Sequence, residues 1–279
     1  MSEQRMVGEV AVEIHRPEQP ASAVPVLLLH GIGGAAATFA GVGPRLAAAG
    51  WRSIAWDAPG YGASTDPGPA VTGDDSPGAY VDLVAGVLAD LGLARVHLAG
   101  VSWGGVIATH VALRRPELIA SLTLIDSTRG SGVSPERAAA MRSRVTELTE
   151  DGGVAFAERR APRLLAADAA PEARAEVTRQ MAAVRPAGYA GAAEMMAQSD
   201  TGDRLVKIAA PTLVLVGDED RVTGVEESRL LADRIPDARF ALIPRAGHAA
   251  VQERPEEVAT AMHTFLADVE ATTSAGARA

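Results

Sequence analysis

Gly100-Val101-Ser102-Trp103-Gly104 is the stretch whose reading decides the fold. An apolar run, 96–99, precedes it, and a run of helical character, 106–113, follows it. A serine flanked two places away by glycines, between a strand and a helix, marks a turn so sharp that the serine must hold strained backbone angles. Gly100 and Gly104 lack the Cβ that would strike the neighbouring strand and helix. The strain lifts the Ser102 hydroxyl above the end of a sheet, where a small molecule can reach it. A serine hydroxyl is a poor nucleophile without a base, so the pattern demands a histidine and an acid later in the chain.

The flanking sequence supplies such a sheet. Runs at 24–29, 51–56, 95–99, 119–125, 211–216 and 239–243 read as strands, and the continuous apolar ones suit a buried parallel sheet. Residues 7–15 alternate weakly and read as an edge strand. Helical patterns fall at 40–49, 79–91, 106–113, 226–234 and 256–268. Strands alternating with helices predict an α/β fold: a mostly parallel central sheet of about seven or eight strands with helices on both faces. One stretch breaks the rhythm. Residues 128–207 read as helices around 136–149, 153–166, 171–184 and 189–198, punctuated by Gly152-Gly153, Pro162, Pro171 and Pro186. We therefore expect a core domain of 1–127 and 208–279 with a helical lid insertion, 128–207. Its natural place is over the carboxyl end of the sheet, where ligands bind in open α/β folds.

The demand made by Ser102 is met. Gly217-Asp218-Glu219-Asp220 ends the strand 211–216, and Gly247-His248 follows the strand ending near residue 243. The order serine, aspartate, histidine is the one this turn uses. His248 takes the proton of Ser102, and an aspartate on the neighbouring loop fixes its tautomer. We assign that role to Asp220; Asp218, two residues earlier, and Asp126, at the end of strand 119–125, are its rivals. The fourth part is His30-Gly31-Ile32-Gly33-Gly34, just after strand 24–29. The amides of Ile32 and Trp103 are positioned to hold an oxyanion, and each such donor is worth about 3–4 kcal/mol. His30, Gly31, Gly33 and Trp103 are the candidate substrate-contacting residues, Trp103 as a pocket-shaping aromatic and His30 chiefly as a brace of its loop through a hydrogen bond. Asp57 reads as a loop carboxylate that bonds local amides.

These segments together resemble the α/β-hydrolase-fold enzymes. The resemblance rests on His30-Gly31, on Asp57-Ala58-Pro59-Gly60-Tyr61-Gly62-Ala63-Ser64, on the turn at Ser102, on Gly217-x-x-Asp220, and on Ala246-Gly247-His248 with Glu253-Arg254-Pro255-Glu256. Within that family the pattern is similar to the branch of 3-oxoadipate enol-lactonases, meta-cleavage-product hydrolases, cofactor-free haloperoxidases and small carboxylesterases. Meta-cleavage-product hydrolases typically carry Asn before the nucleophile and Trp after the histidine, where this chain has Val101 and Ala249. The resemblance thus implies hydrolysis of a carboxylic ester or lactone of a small-to-medium organic substrate through an acyl-enzyme. Carbon–carbon hydrolysis of vinylogous diketo acids is the alternative, and a ligand receptor on the same fold is the alternative of another class.

Bulk composition narrows the partners. The net charge of −9 and the lack of a basic face argue against nucleic acid. No cysteine is present, which excludes thiolate nucleophiles and cysteine-ligated metals, and the histidines show no metal-ligand spacing. We expect no cofactor, no metal, no membrane partner, a small-molecule substrate, and a monomer or homodimer. Residues 1–10 are polar without a leader pattern, so a cytoplasmic location is expected. His15 is expected at the surface, and the small, polar stretch 271–279 is expected to fray. Lid arginines 159, 160, 163, 174, 179 and 185 are matched by comparable acid and read mainly as solvated helix faces.

Overall fold

In the computed structural model, which describes residues 2–276, eight strands form one sheet. They are β1 (Ser2–Val7), β2 (Val10–His15), β3 (Val26–Leu29), β4 (Ser53–Trp56), β5 (Val96–Val101), β6 (Ile119–Ile125), β7 (Thr212–Gly217) and β8 (Arg239–Ile243). Their order across the sheet is β1-β2-β4-β3-β5-β6-β7-β8. β2 runs antiparallel to β1 and to β4, and every other pair is parallel. The helices are α1 (Val42–Ala48), α2 (Ser76–Asp90), α3 (Trp103–Arg114), α4 (Pro135–Arg160), α5 (Pro171–Ala182), α6 (Pro186–Gln198), α7 (Val225–Arg234), α8 (Ala250–Glu253) and α9 (Pro255–Gly276).

Strand alternation builds two cores. On β3, Leu27 and Leu29 face one side, and Val26 and Leu28 face the other, because successive side chains point to opposite faces. The first side packs Val84 and Leu88 of α2, Ile107 and Val111 of α3 and Leu231 of α7. The second packs Leu46 of α1 against Val258, Met262 and Phe265 of α9. Both faces are covered, so the central strands are apolar throughout: β3, β4, β5, β6 and β7 are buried at every position.

β3 is the pivot. The chain steps from β3 to β4 on one side, and β5 then pairs on the other. The carboxyl ends of β3 and β5 therefore diverge into a crevice, the place where an open α/β sheet accepts a ligand. The turns after these two strands carry His30–Gly34 and Ser102.

The structure departs from the sequence expectations at the sheet edge, at His15 and in the helices between β6 and β7. The edge is not the strand expected at 7–15, which splits at Gly8 (φ 58°) into the hairpin β1–β2. Five of the six β1 residues are exposed, so no apolar pattern betrayed it. His15 is buried rather than exposed. Within the stretch 271–279, helix α9 continues to Gly276, and residues 277–279 lie outside the described residues. Between β6 and β7 all regular structure is helical. The two helices expected at 136–149 and 153–166 are joined into α4, kinked at Gly152 (φ 76°, ψ 161°), with a 3₁₀ turn at Ala161–Leu164. No helix among the described residues is long and apolar enough to cross a membrane.

The turn at Ser102 depends on close backbone approach. A Cβ on Gly104 would overlap the carbonyl of Leu29, and one on Gly100 would overlap the carbonyl of Gly104. Gly104→Ala must therefore push α3 away from β3. Overpacking of this kind costs roughly 1–3 kcal/mol. Urea denaturation should show the midpoint of Gly104→Ala falling accordingly, whereas Gly86→Ala, where a Cβ meets nothing within 4 Å, should not fall.

Candidate active site

Ser102 stands at the N-cap of α3 with φ 51° and ψ −114°, a conformation rare for a side chain other than glycine. Such a residue costs about 1–3 kcal/mol and persists only where its surroundings over-determine it. Here the Ser102 amide donates to Ile125 O at 2.8 Å, and Ser127 Oγ donates to Ser102 O at 3.1 Å. Both partners come from the end of β6 and the loop after it, so the neighbouring strand clamps the turn.

β7 and β8 deliver the partners. Asp220 sits three residues past the end of β7, and its side chain is wholly buried. Its Oδ1 accepts from the amides of Val222 at 2.7 Å and Thr223 at 3.2 Å, and its Oδ2 accepts from Thr223 Oγ1 at 2.6 Å. The same Oδ2 lies 2.9 Å from His248 Nδ1, and His248 Nε2 lies 3.0 Å from Ser102 Oγ. An ionised carboxylate can only accept, so Nδ1 carries the imidazole proton and Nε2 is left to accept from the serine. Burial would lower the His248 pKa, but the Asp220 carboxylate outweighs it and the net shift is upward. Burial would raise Asp220, but the His248 charge and the bonds from His248 and Thr223 hold it down to about 2.

The structure separates the three candidate acids. Asp218 is exposed and accepts from the Ala246 amide at 3.3 Å, a brace between the loops after β7 and β8. Asp126 is fully buried at φ 47°; its Oδ1 accepts from Gly217 N at 2.8 Å and its Oδ2 from Ala250 N at 3.3 Å. Burial pushes its carboxyl up to about 8, and the Asp220 charge adds to the rise. Two neighbouring carboxyls are thus driven apart, and near neutral pH the charge rests on Asp220. Asp126 ties the start of the loop bearing Asp220 to the helix after His248. Its bracing role was absent from the sequence reading, which saw in it only a rival acid.

Two further buried groups brace the site. Glu253 accepts from Gly247 N and from Ala166 N, each at 2.8 Å, and so joins the His248 loop to the helical segment. Asp57 accepts from Ala36 N at 2.7 Å and Ala63 N at 2.9 Å, as expected of a loop carboxylate.

The loop after β3 completes the crevice. A Cβ on Gly31 would lie 3.4 Å from Ser102 Cβ, so this loop runs directly beside the serine. Among the described residues the Ile32 amide has no backbone acceptor, and the Trp103 amide, at the first position of α3, has none within its helix. The positive end of α3 faces the same point. Gly31, Ile32, Gly33 and Trp103 all border the cavity above Ser102. His30 does not. It is 0% exposed, its Nε2 accepts from Ala58 N at 3.0 Å, and its Nδ1 donates to Gly31 O at 2.8 Å. Both ring nitrogens are spent on backbone, so His30 shapes the loop and cannot contact substrate. The Trp103 indole is likewise enclosed, packed on His30, Tyr61 and Tyr80 with Nε1 donating to Met195 Sδ at 3.1 Å.

The cavity has a volume of about 710 Å³. Its apolar wall includes Val101, Met141, Leu164, Val177, Met181 and Met196, most of them from the helical segment. Of the expected lid arginines, 159, 160, 179 and 185 form ion pairs and 174 bonds carbonyls. Arg163 borders the cavity, and so does Arg144, which the sequence reading passed over.

A profile described as the alpha/beta hydrolase fold matches residues 24–255 of the chain. A 2-hydroxymuconate semialdehyde hydrolase of Pseudomonas putida is 29% identical over 265 residues, covering 88% of each chain. The solved structure of a thermophilic esterase from Thermogutta terrifontis, with malate bound, matches with a TM-score of 0.84 at 29% identity, covering 96% of this chain and 99% of that one. An enol-lactonase from Burkholderia xenovorans LB400 matches with a TM-score of 0.82 at 24% identity, over 95% of this chain and 99% of that one, a likeness of fold.

Truncating Asp126 tests its bracing role. Asp126→Ala leaves two buried amides without acceptors, and each such orphan costs about 1–3 kcal/mol. Urea unfolding should register that loss, while Asp218→Ala, at an exposed site, should stay within about 0.5 kcal/mol.

Proposed function

The chain belongs to the alpha/beta hydrolase fold family, and from that premise we propose that it is a serine hydrolase cleaving a carboxylic ester or lactone. The observation that carries the reading is the hydrogen-bonded series from Ser102 through His248 to Asp220, at 3.0 and 2.9 Å, beneath a cavity of substrate size. In this reading Ser102 Oγ bonds to the substrate carbonyl carbon while its proton passes to His248 Nε2. The carbonyl electron pair moves onto oxygen, which the Ile32 and Trp103 amides hold. Collapse expels the alcohol oxygen, which takes the proton back from Nε2, and an acyl group stays on Ser102. Water repeats the sequence and releases the acid. Asp220 keeps the imidazole in the accepting tautomer and stabilises the imidazolium. The helices between β6 and β7 act as the lid that selects the substrate, and no cofactor takes part.

A second reading, carbon–carbon hydrolysis, draws on the likeness to the Pseudomonas putida enzyme. Val101 and Ala249 favour ester or lactone chemistry, because they replace the Asn and Trp that carbon–carbon hydrolases of this branch typically carry. Strong turnover of a meta-ring-fission product without turnover of a p-nitrophenyl ester would reverse the order of the two readings.

A fluorophosphonate probe should label the protein and should fail to label Ser102→Ala. Asp220→Asn should lower kcat by about ten-thousand-fold, because an amide favours the wrong His248 tautomer. Asp218→Asn should leave turnover nearly intact; the reverse outcome would assign the acid to Asp218.

The pH dependence follows from the His248 environment. Only the neutral imidazole can accept the serine proton, so kcat/KM rises with pH through the His248 pKa. The Asp220 carboxylate raises that pKa above the ordinary 6.5. The acid limb of a pH–rate profile on a p-nitrophenyl ester should therefore turn above 6.5, and the residual activity of Asp220→Asn should turn at lower pH.

A further inference from the structure

The chain carries 35 acidic against 26 basic residues, yet its cavity is cationic. Five arginines border it: Arg137, Arg144, Arg160, Arg163 and Arg221. Among the described residues the one acid on its wall, Glu227, is already held by Arg129 through bonds of 2.9 and 3.1 Å. Arg160 is paired with Glu147 at 2.8 Å. Among the described residues the other four have no carboxylate within 4.0 Å. A net-negative chain that gathers unpaired arginines around one concave site focuses positive potential there.

The arginines fall into two tiers. Arg137, Arg163 and Arg221 are exposed and stand at the rim. Arg144 and Arg160 are half-buried. Arg137, Ala140, Met141 and Arg144 are spaced i, i+3, i+4 and i+7 along α4, so one helix face is presented to the cavity. The Arg144 charge reaches inward: burial raises the Tyr189 phenol and Arg144 opposes that rise by charge and hydrogen bond, and at His248, whose pKa burial lowers and Asp220 raises, Arg144 adds a small opposing push. Arg160 Nε is buried with no hydrogen-bond partner among the described residues. Arg144 shares a hydrogen bond with the Tyr189 phenol, but no carboxylate among the described residues neutralises its charge, and a bound carboxylate would supply that counter-charge. The fork of Arg matches a carboxylate better than any other side chain does.

We propose that the cavity contains an anion subsite centred on Arg144, and that the substrate is an ester or lactone bearing a free carboxylate. This proposal rests on the ester or lactone reading of Ser102 and names its substrate class. The carboxylate pairs with Arg144, the aliphatic part lies along Met141, Val177 and Met181, and the scissile carbonyl reaches Ser102. The rim arginines attract the anion and raise its rate of arrival, an effect that salt weakens.

Mono-p-nitrophenyl adipate and p-nitrophenyl hexanoate have acyl chains of equal length and differ in a terminal carboxylate against a methyl. The ratio of their kcat/KM values should be about tenfold or more in favour of the adipate ester at low salt. In Arg144→Gln that ratio should fall to about one. Arg144→Lys, which keeps the charge without the fork, should give an intermediate ratio and stands in if the Gln variant does not fold. Binding of adipate itself, followed by calorimetry on Ser102→Ala, provides an arm that needs no turnover. Adipate should bind there and lose at least tenfold in affinity when Arg144→Gln is added. A wild-type ratio of one or less, or a ratio unchanged in Arg144→Gln, overturns the subsite while leaving the ester reading standing. Arg144-dependent adipate binding without hydrolysis of either ester overturns the ester reading and leaves the subsite standing.

Discussion

A serine does not hold φ 51° and ψ −114° by its own preference, and the architecture can be understood as the set of contacts that keeps Ser102 there. Gly104 lets α3 press its first turn against the carboxyl end of β3, and Gly100 lets β5 pass under the same turn. β6 holds the Ser102 amide, and Ser127 holds its carbonyl. Three adjacent parallel strands are therefore needed to sustain one residue. The reward is geometric: the hydroxyl stands proud of the sheet at the point where β3 and β5 diverge, with the unpaired amides of a helix start beside it.

The loops around this point are not held by apolar packing alone. Buried carboxyls and one imidazole do much of the bracing. Asp126 links the loops after β7 and β8, Glu253 links the His248 loop to Ala166, Asp57 gathers the amides of Ala36 and Ala63, and His30 spans Gly31 and Ala58. Irregular backbone near a cleft leaves amides that no ladder satisfies, and a buried carboxyl can collect two of them. Environment then sorts identical side chains. Asp220, with four hydrogen bonds and a histidine partner, is held near 2, and Asp126, with two amides in a dry pocket, is raised to about 8.

The helical segment between β6 and β7 contributes most of the cavity wall, and its charge pattern differs by face. Its outward arginines are spent on nearby carboxylates, as Arg142 on Glu194 and Arg179 on Glu176. Exposed pairs of that kind are worth little to stability. The inward arginine, Arg144, has no carboxylate partner among the described residues and borders the same cavity as His248. Unpaired charge in a confined place is informative in a way that paired surface charge is not.

Much of this is legible in the amino-acid sequence alone. The alternation of apolar runs with helical patterns specified the α/β sheet, because a strand buried on both faces has no polar positions and each parallel crossover needs a helix. The spacing of glycines about Ser102, and the places of Asp220 and His248 after later strands, named the residues that the fold brings within 3.0 Å of one another. The edge strand β1 was invisible because its residues face water and carry no hydrophobic signal. The bracing role of His30 was legible, but whether it also touches a ligand was not, because a histidine beside a glycine loop looks the same whether its nitrogens face a ligand or the backbone. Arg144 was passed over although Arg137, Ala140, Met141 and Arg144 already spell a helical face; what that face meets depends on how α4 lies over the sheet. Local pattern, then, determined the fold class and the candidate chemistry, since both repeat on the length scale of a turn or a strand. The braces, the charge state of each carboxyl and the sign of the cavity depend on residues brought together across tens of positions, and only the tertiary structure decided them.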